Sequence, residues 1–266
     1  MKFNLKISSI SESPILLLVL ISMLLVTNLN VAQAQSKRSP YKMHAVLDFP
    51  IIGISGGGAL AARFLERGIE PLTAVEISNL STTNIPQIDL SAHNQWSPQF
   101  GTASQIGTYA AILSPGLLLF SPDINRKEWG SVILLSAETF AMTDFLVRMT
   151  KVQTLRPRPY LYNPDIIVPQ EFLNDRNHRF SYFSGSTAYS AGMSFAAASM
   201  FADYHPKSKF KPYVWVLAAV VPATVGYMRY RSGEHYPTDI VSGYVVGASV
   251  GLLIPYVHRK AKKWFR

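Results

Sequence analysis

The sequence predicts an all-α fold, a bundle of five or six helices. Two observations carry that prediction. The apolar runs have the length of helices rather than strands, and few segments alternate apolar with polar residues. With no sheet pattern to pack against, helices must bury their apolar faces on one another.

Taken in order, residues 1–34 have the layout of a secretory signal. Lys2 and Lys6 give a basic start, Pro14 to Val26 an apolar core, and Ala32-Gln33-Ala34 a small-x-small cleavage site. The alternative is an uncleaved anchor. Residues 35–104 are expected to hold an N-terminal helix and a polar loop. Its apolar run, Val46–Phe64, is interrupted by Asp48, Pro50, Gly53, Gly56, Gly57 and Gly58, and the stretch from Glu66 to Gly101 reads as loop around Pro86 and Pro98. The helical core is expected over 105–257, with helices near Ile106–Phe120, Val132–Met149, Thr187–Ala202, Tyr213–Met228 and Thr238–Val257. Thr187–Ala202 is rich in Ala, Ser and Gly, the small residues that let helices approach closely in a membrane. Residues 258–266 form a basic tail, read either as a flank held at a membrane surface or as a solvated end.

Composition removes several function classes. Cysteine is absent, which excludes thiolate metal sites and cysteine nucleophiles. The formal charge is +9, and removing residues 1–34, which carry Lys2, Lys6 and Glu12, leaves +8. Such a balance fits anionic lipid or phosphate-bearing substrates, and no nucleic-acid recognition motif accompanies it. Several helices fall short of a full span, so hydropathy leaves a soluble bundle and a membrane-embedded one both open.

Helix order adds what hydropathy lacks. If the last four helices run up, down, up and down, three polar stretches fall at one end of the bundle: Lys151 with Arg158-Pro159, Ser184-Gly185, and Arg229-x5-His235-x3-Asp239. Arg126, Lys127, Lys207, Lys209, Lys211 and the basic tail fall at the other, which in a membrane would be cytoplasmic and would leave the three stretches outside. Lys37, Arg38 and Lys42 conflict with that orientation if the signal is cleaved and Val46–Phe64 spans.

Each stretch has a plain reading on its own. Lys151 and Arg158 resemble a basic helix end facing the helix dipole. Ser184 and Gly185 resemble an ordinary helix start, where backbone amides also make an anion site. Arg156-Pro157 repeats the Arg-Pro dipeptide at the wrong distance from Lys151. His235 and Asp239 lie one turn apart, so a carboxylate on one imidazole nitrogen leaves the other free to attack phosphorus. Together the three supply fixed cations, backbone donors and a nucleophile for a phosphate.

The three stretches resemble the type 2 phosphatidic acid phosphatase superfamily, which includes the vanadium-dependent haloperoxidases. Its pattern is Lys-x6-Arg-Pro, Pro-Ser-Gly-His and Ser-Arg-x5-His-x3-Asp, and the resemblance extends over roughly Ala137 to Pro255. It implies that Lys151, Arg158 and Arg229 bind phosphate with Ser184 and the Gly185 amide, that His235 forms a phosphohistidine, and that Asp239 orients it. The implied protein is a hydrolase of phosphorylated lipids or isoprenoid diphosphates, membrane-associated, acting at the external face and needing no metal or other cofactor. No metal-ligand cluster is evident in the sequence.

Three positions depart from the pattern. Phe183 stands for Pro, Met228 for Ser, and Ser186 for the histidine that protonates the leaving group. A hydroxyl is no general acid near neutral pH, and such catalysis is worth roughly 10²–10⁴-fold. The expectation is therefore an enzyme that favours diphosphates, whose leaving phosphate needs no proton. Alternatives are a phosphate-binding scaffold and a vanadate-dependent haloperoxidase. Gly53-Ile54-Ser55-Gly56-Gly57 also matches the serine-hydrolase Gly-x-Ser-x-Gly, but without the strand–turn–helix that motif requires.

Overall fold

The computed structural model describes residues 39–163, 165–166 and 175–264. The signal expected at 1–34 lies outside them, as do Lys37 and Arg38. Among the described residues there is no strand. Six long helices among these residues make the bundle: α1 (Ala45–Arg67), α2 (Pro98–Leu113), α3 (Trp129–Thr154), α4 (Gly185–Tyr204), α5 (Lys211–Arg231) and α6 (Pro237–Trp264).

The elements differ from those expected in several places. α1 is continuous through Pro50 and the glycines. A Cβ at Gly58 would strike the Phe145 ring of α3, so there the missing side chain lets α1 lie close. Ser55 is buried and its hydroxyl donates to the Ile51 carbonyl at 2.6 Å, which leaves no nucleophile elbow in this run. α2 begins eight residues before Ile106, because Ser97 caps it and Pro98 opens its first turn, where a missing N–H is harmless. The polar stretch before it holds short helical turns at Ala74–Ser78 and Gln87–Leu90; the first carries a Thr73/Glu76 capping box. At the other end, α6 runs through residue 258 with His258 and Ala261 buried, so the basic segment continues a packed helix.

α4 is the axis of the bundle. Its Ala, Ser and Gly residues are mostly buried, and it packs on α2, α3, α5 and α6. The α4–α6 contact is main chain on main chain. A Cβ on Gly243, Gly247 or Gly251 of α6 would collide with the backbone of Ser184, Ala188 and Gly192 respectively. This row of three glycines, one every fourth residue, brings the start of α6 beside the start of α4, which is where two of the three polar stretches lie.

The outer surface is strongly apolar. Phe120 is 86% exposed and Phe64 76%, with Phe49, Ile106, Leu117, Val241 and Val245 also exposed. Water-soluble monomers rarely leave so much apolar area uncovered. Among the described residues, four segments are long and apolar enough to cross a membrane: Ala45–Arg67, Pro98–Phe120, Arg126–Tyr162 and Pro237–Ala261.

Candidate functional site

The three stretches meet at one end of the bundle. α3 ends at Thr154, and Leu155 turns the chain in a left-handed conformation (φ 45°). Arg158 then sits on the following loop, its N–H donating to the His178 carbonyl at 3.0 Å and its Nε to the Asn177 carbonyl at 2.9 Å. His178 in turn is bonded to the Tyr160 hydroxyl at 2.6 Å through Nδ1. His205 caps the far end of α4 and contacts Ser121, so neither histidine replaces the missing one at Ser186.

The start of α4 closes on Lys151. A Cβ at Gly185 would lie 3.2 Å from Val147 Cγ1 and 3.6 Å from Lys151 Nζ, so glycine leaves room beside the ammonium. Ser184 is the N-cap; its hydroxyl is engaged with Thr187 Oγ1 at 2.9 Å and with the Thr187 N–H. That hydroxyl is spent on the helix, and what Ser184 and Gly185 offer an anion is the amide end of α4. Ser186 is half-buried, and its side chain makes no hydrogen bond among the described residues.

His235 is buried beside this cradle. Its Nδ1 donates to the Ser181 carbonyl at 2.7 Å, while Asp239 Oδ2 stands 3.6 Å away. The backbone carbonyl, and not the carboxylate alone, therefore fixes the tautomer with its proton on Nδ1 and the Nε2 lone pair free. Burial, helped by Arg229 and Arg158, outweighs the pull of Asp239 and lowers the imidazole to about 4. The ring is neutral, and so nucleophilic, across the physiological range.

Asp239 is held from three sides. It accepts from Ser181 Oγ at 2.5 Å, from the Tyr236 N–H at 3.0 Å and from Arg156 at 2.6 Å. Arg156 is the arginine dismissed on spacing, and its real place is here. Its guanidinium bridges Asp239 and Asp89, with 2.8 Å to Asp89 Oδ2, and lies over the Tyr236 ring at 3.8 Å. Asp89 also accepts from the Thr238 N–H at 3.0 Å and hydroxyl at 2.6 Å, so it ties the start of α6 to the N-terminal segment.

Sequence reasoning missed Glu234 as well. Its Oε2 accepts from both Arg158 and Arg229, and Arg229 also reaches Ser104 Oγ of α2 at 3.3 Å. Burial alone would raise this carboxyl; Arg229 and Arg158 overcome it and hold it at about 2. Two of the three expected phosphate cations thus already share one carboxylate, which leaves a net charge of +1 on the trio. Lys151 has no ion-pair partner among the described residues. The signal for Glu234 was its place next to His235 amid cations, and for Arg156 its place in the same stretch as Arg158.

A family model described as the PAP2 superfamily matches residues 132–263. The chain belongs to the PAP2 superfamily. The matched span covers every element of the site except α2 and Asp89. A similar solved structure is described as the crystal structure of the first transmembrane PAP2 type phosphatidylglycerolphosphate phosphatase from Bacillus subtilis. It is 21% identical, with 78% of this chain and 97% of that chain covered and a TM-score of 0.49. A search of the curated proteins found no match.

Proposed function

We propose that this PAP2 member is an integral membrane phosphatase that hydrolyses lipid phosphates or lipid diphosphates through a phosphohistidine at His235. One observation supports the reading: a buried neutral imidazole with its Nδ1 proton anchored on Ser181 lies in the field of Arg158 and Arg229, four residues from Asp239, whose carbonyl accepts from the start of α4. In the proposed reaction the phosphate displaces Glu234 from Arg158 and Arg229. His235 Nε2 attacks phosphorus, the P–O bond to the leaving group breaks, and water then cleaves the P–N bond. Asp239 and the Ser181 carbonyl offset the positive charge that develops on the ring.

Ser186 makes the leaving group decisive. With no histidine there to deliver a proton, a departing phosphate, whose second pKa is about 6, suffers less than a departing alkoxide. The proposed preference is for diphosphates over monoesters, with the site on the external face of the membrane. Purified protein and a His235→Ala variant, compared on lipid diphosphate, lipid monophosphate and phenyl phosphate, test this reading. Turnover by wild type that disappears in the variant is expected; turnover that survives it removes His235 from its role.

The same serine supports a second reading, a phosphate-binding protein with little turnover. Phosphate binding without measurable hydrolysis of any of the three substrates would favour it.

A further inference from the structure

Some distance from the phosphate cradle, three helices bring together one histidine and two carboxylates. Asp48 comes from α1, Glu138 from α3 and His258 from α6. Glu138 lies 13 residues before Lys151 on α3, which is about 20 Å of helix rise. His258 Nε2 is 3.0 Å from Asp48 Oδ1 and 3.2 Å from Glu138 Oε2, and the three ligand atoms lie within 4.8 Å of one another. His258 is fully buried and Glu138 is 1% exposed.

The polarity of this cluster is unbalanced. His258 Nδ1 donates to the Ile254 carbonyl at 2.9 Å, one turn back on α6, which places its proton on that nitrogen. In a neutral ring the Nε2 lone pair would then point at two carboxylates, Asp48 Oδ1 at hydrogen-bond distance among them, an arrangement that repels unless a proton or a metal ion lies between them. Glu138 makes the need plainer. Neither of its oxygens accepts a hydrogen bond among the described residues, and no Lys or Arg among them pairs with it. A buried carboxylate in that state is costly.

We infer that Asp48, Glu138 and His258 form a site for one divalent transition metal, of the Zn²⁺ kind. Two carboxylates and a neutral imidazole carry a charge of −2, which such an ion cancels. Zinc binds imidazole nitrogen at about 2.0–2.1 Å and carboxylate oxygen at about 2.0–2.2 Å, so neighbouring ligand atoms of one ion stand roughly 2.9–3.5 Å apart. The two spacings around Nε2 fall in that range. The Nδ1–carbonyl bond is the outer support that ligating histidines ordinarily have. A shared proton would make the ring an imidazolium and leave one negative charge over, with Glu138 Oε1 still bare. The ion would tie α1 to the helices that carry the phosphate site, and it would take no part in hydrolysis. The inference does not depend on the proposed phosphatase reaction.

The test uses untagged full-length protein purified in detergent without chelator. Elemental analysis should find about one metal ion per chain, and Glu138→Gln and His258→Ala should each lose at least roughly tenfold. Chelation should lower the Tm of wild type, and added Zn²⁺ should restore it in a concentration-dependent way. Glu138→Gln, a near-isosteric change, keeps the test alive if His258→Ala does not fold, and its Tm should be indifferent to chelator. Reconstitution with Co²⁺ should give d–d absorption bands that Glu138→Gln lacks. Wild type with no bound metal and no Tm response to Zn²⁺ or Mn²⁺ overturns the inference in favour of the imidazolium. So does metal retained equally by both variants.

Discussion

Replacing Glu234 by Gln separates a resident counter-ion from a catalytic one. Glu234 Oε2 is shared by Arg158 and Arg229, with the side chain 23% exposed. A hydrogen bond to a charged group is worth about 1.5–3 kcal/mol, and two on one oxygen give about 3 at the low end. Exposure and the neutral bond that Gln can still make reduce the difference to roughly 1.5–2 kcal/mol. A phosphate that must displace this carboxylate should therefore bind Glu234→Gln about 10–30-fold more tightly. The assay is the competitive Ki of inorganic phosphate, or of vanadate, on a soluble substrate. The variant should also melt earlier, because two arginines lose their charge partner. Acid does not mimic it. The group is held at about 2, against an ordinary value near 4.3, so its stabilisation is present above that ordinary value and is lost only as pH falls towards 2. A Ki that is unchanged, or weaker, would refute displacement and leave Glu234 as a fixed part of the cradle.

Four further outcomes follow from the same geometry. Ser186→His should raise turnover of monoesters by roughly tenfold or more while changing diphosphate turnover little, read as the ratio of the two kcat values; no gain on monoesters would oppose the leaving-group account. Because His235 is lowered from 6.5 to about 4, kcat/KM on a substrate without ionisations in the range should stay level down to about pH 5 and fall below it. The same shift makes the folded state lose stability as pH drops from about 6.5 to 4, since the unfolded chain binds the proton first. Arg156→Ala should cost about 3 kcal/mol by leaving Asp89 and Asp239 buried without their cation, measured by denaturant unfolding, and Arg156→Lys should recover only part of it.

What could be read from the chain was whatever is local. The spacing within Arg229-x5-His235-x3-Asp239 survives because one tight turn, from the last turn of α5 to the first turn of α6, holds all three residues, and helices that alternate in direction bring that turn, the end of α3 and the start of α4 to one end of the bundle. Convergence of Lys151, Arg158 and Gly185 was legible for the same reason. The rest depends on contacts between distant residues. Counting separated Arg156 from the Lys151 spacing but could not give it a place of its own, because its partners, Asp89 and Asp239, lie 67 and 83 residues away. Asp48, Glu138 and His258 are separated by whole helices and form no spacing pattern at all. α2 was placed late because Pro98 was read as a loop marker; with Ser97 before it, the same proline opens a helix.

The glycine row between α4 and α6 has one further consequence. The Ser184 N–H donates directly to the Asp239 carbonyl at 3.0 Å, so the two halves of the site are joined through main chain, with no side chain between them to adjust. The reacting geometry is thereby insulated from the outer faces of α1, α2 and α5, where large apolar side chains project freely. Those faces can exchange one apolar residue for another without altering the seam. On the proposed function, whatever those faces meet is free to drift while the phosphate site stays put.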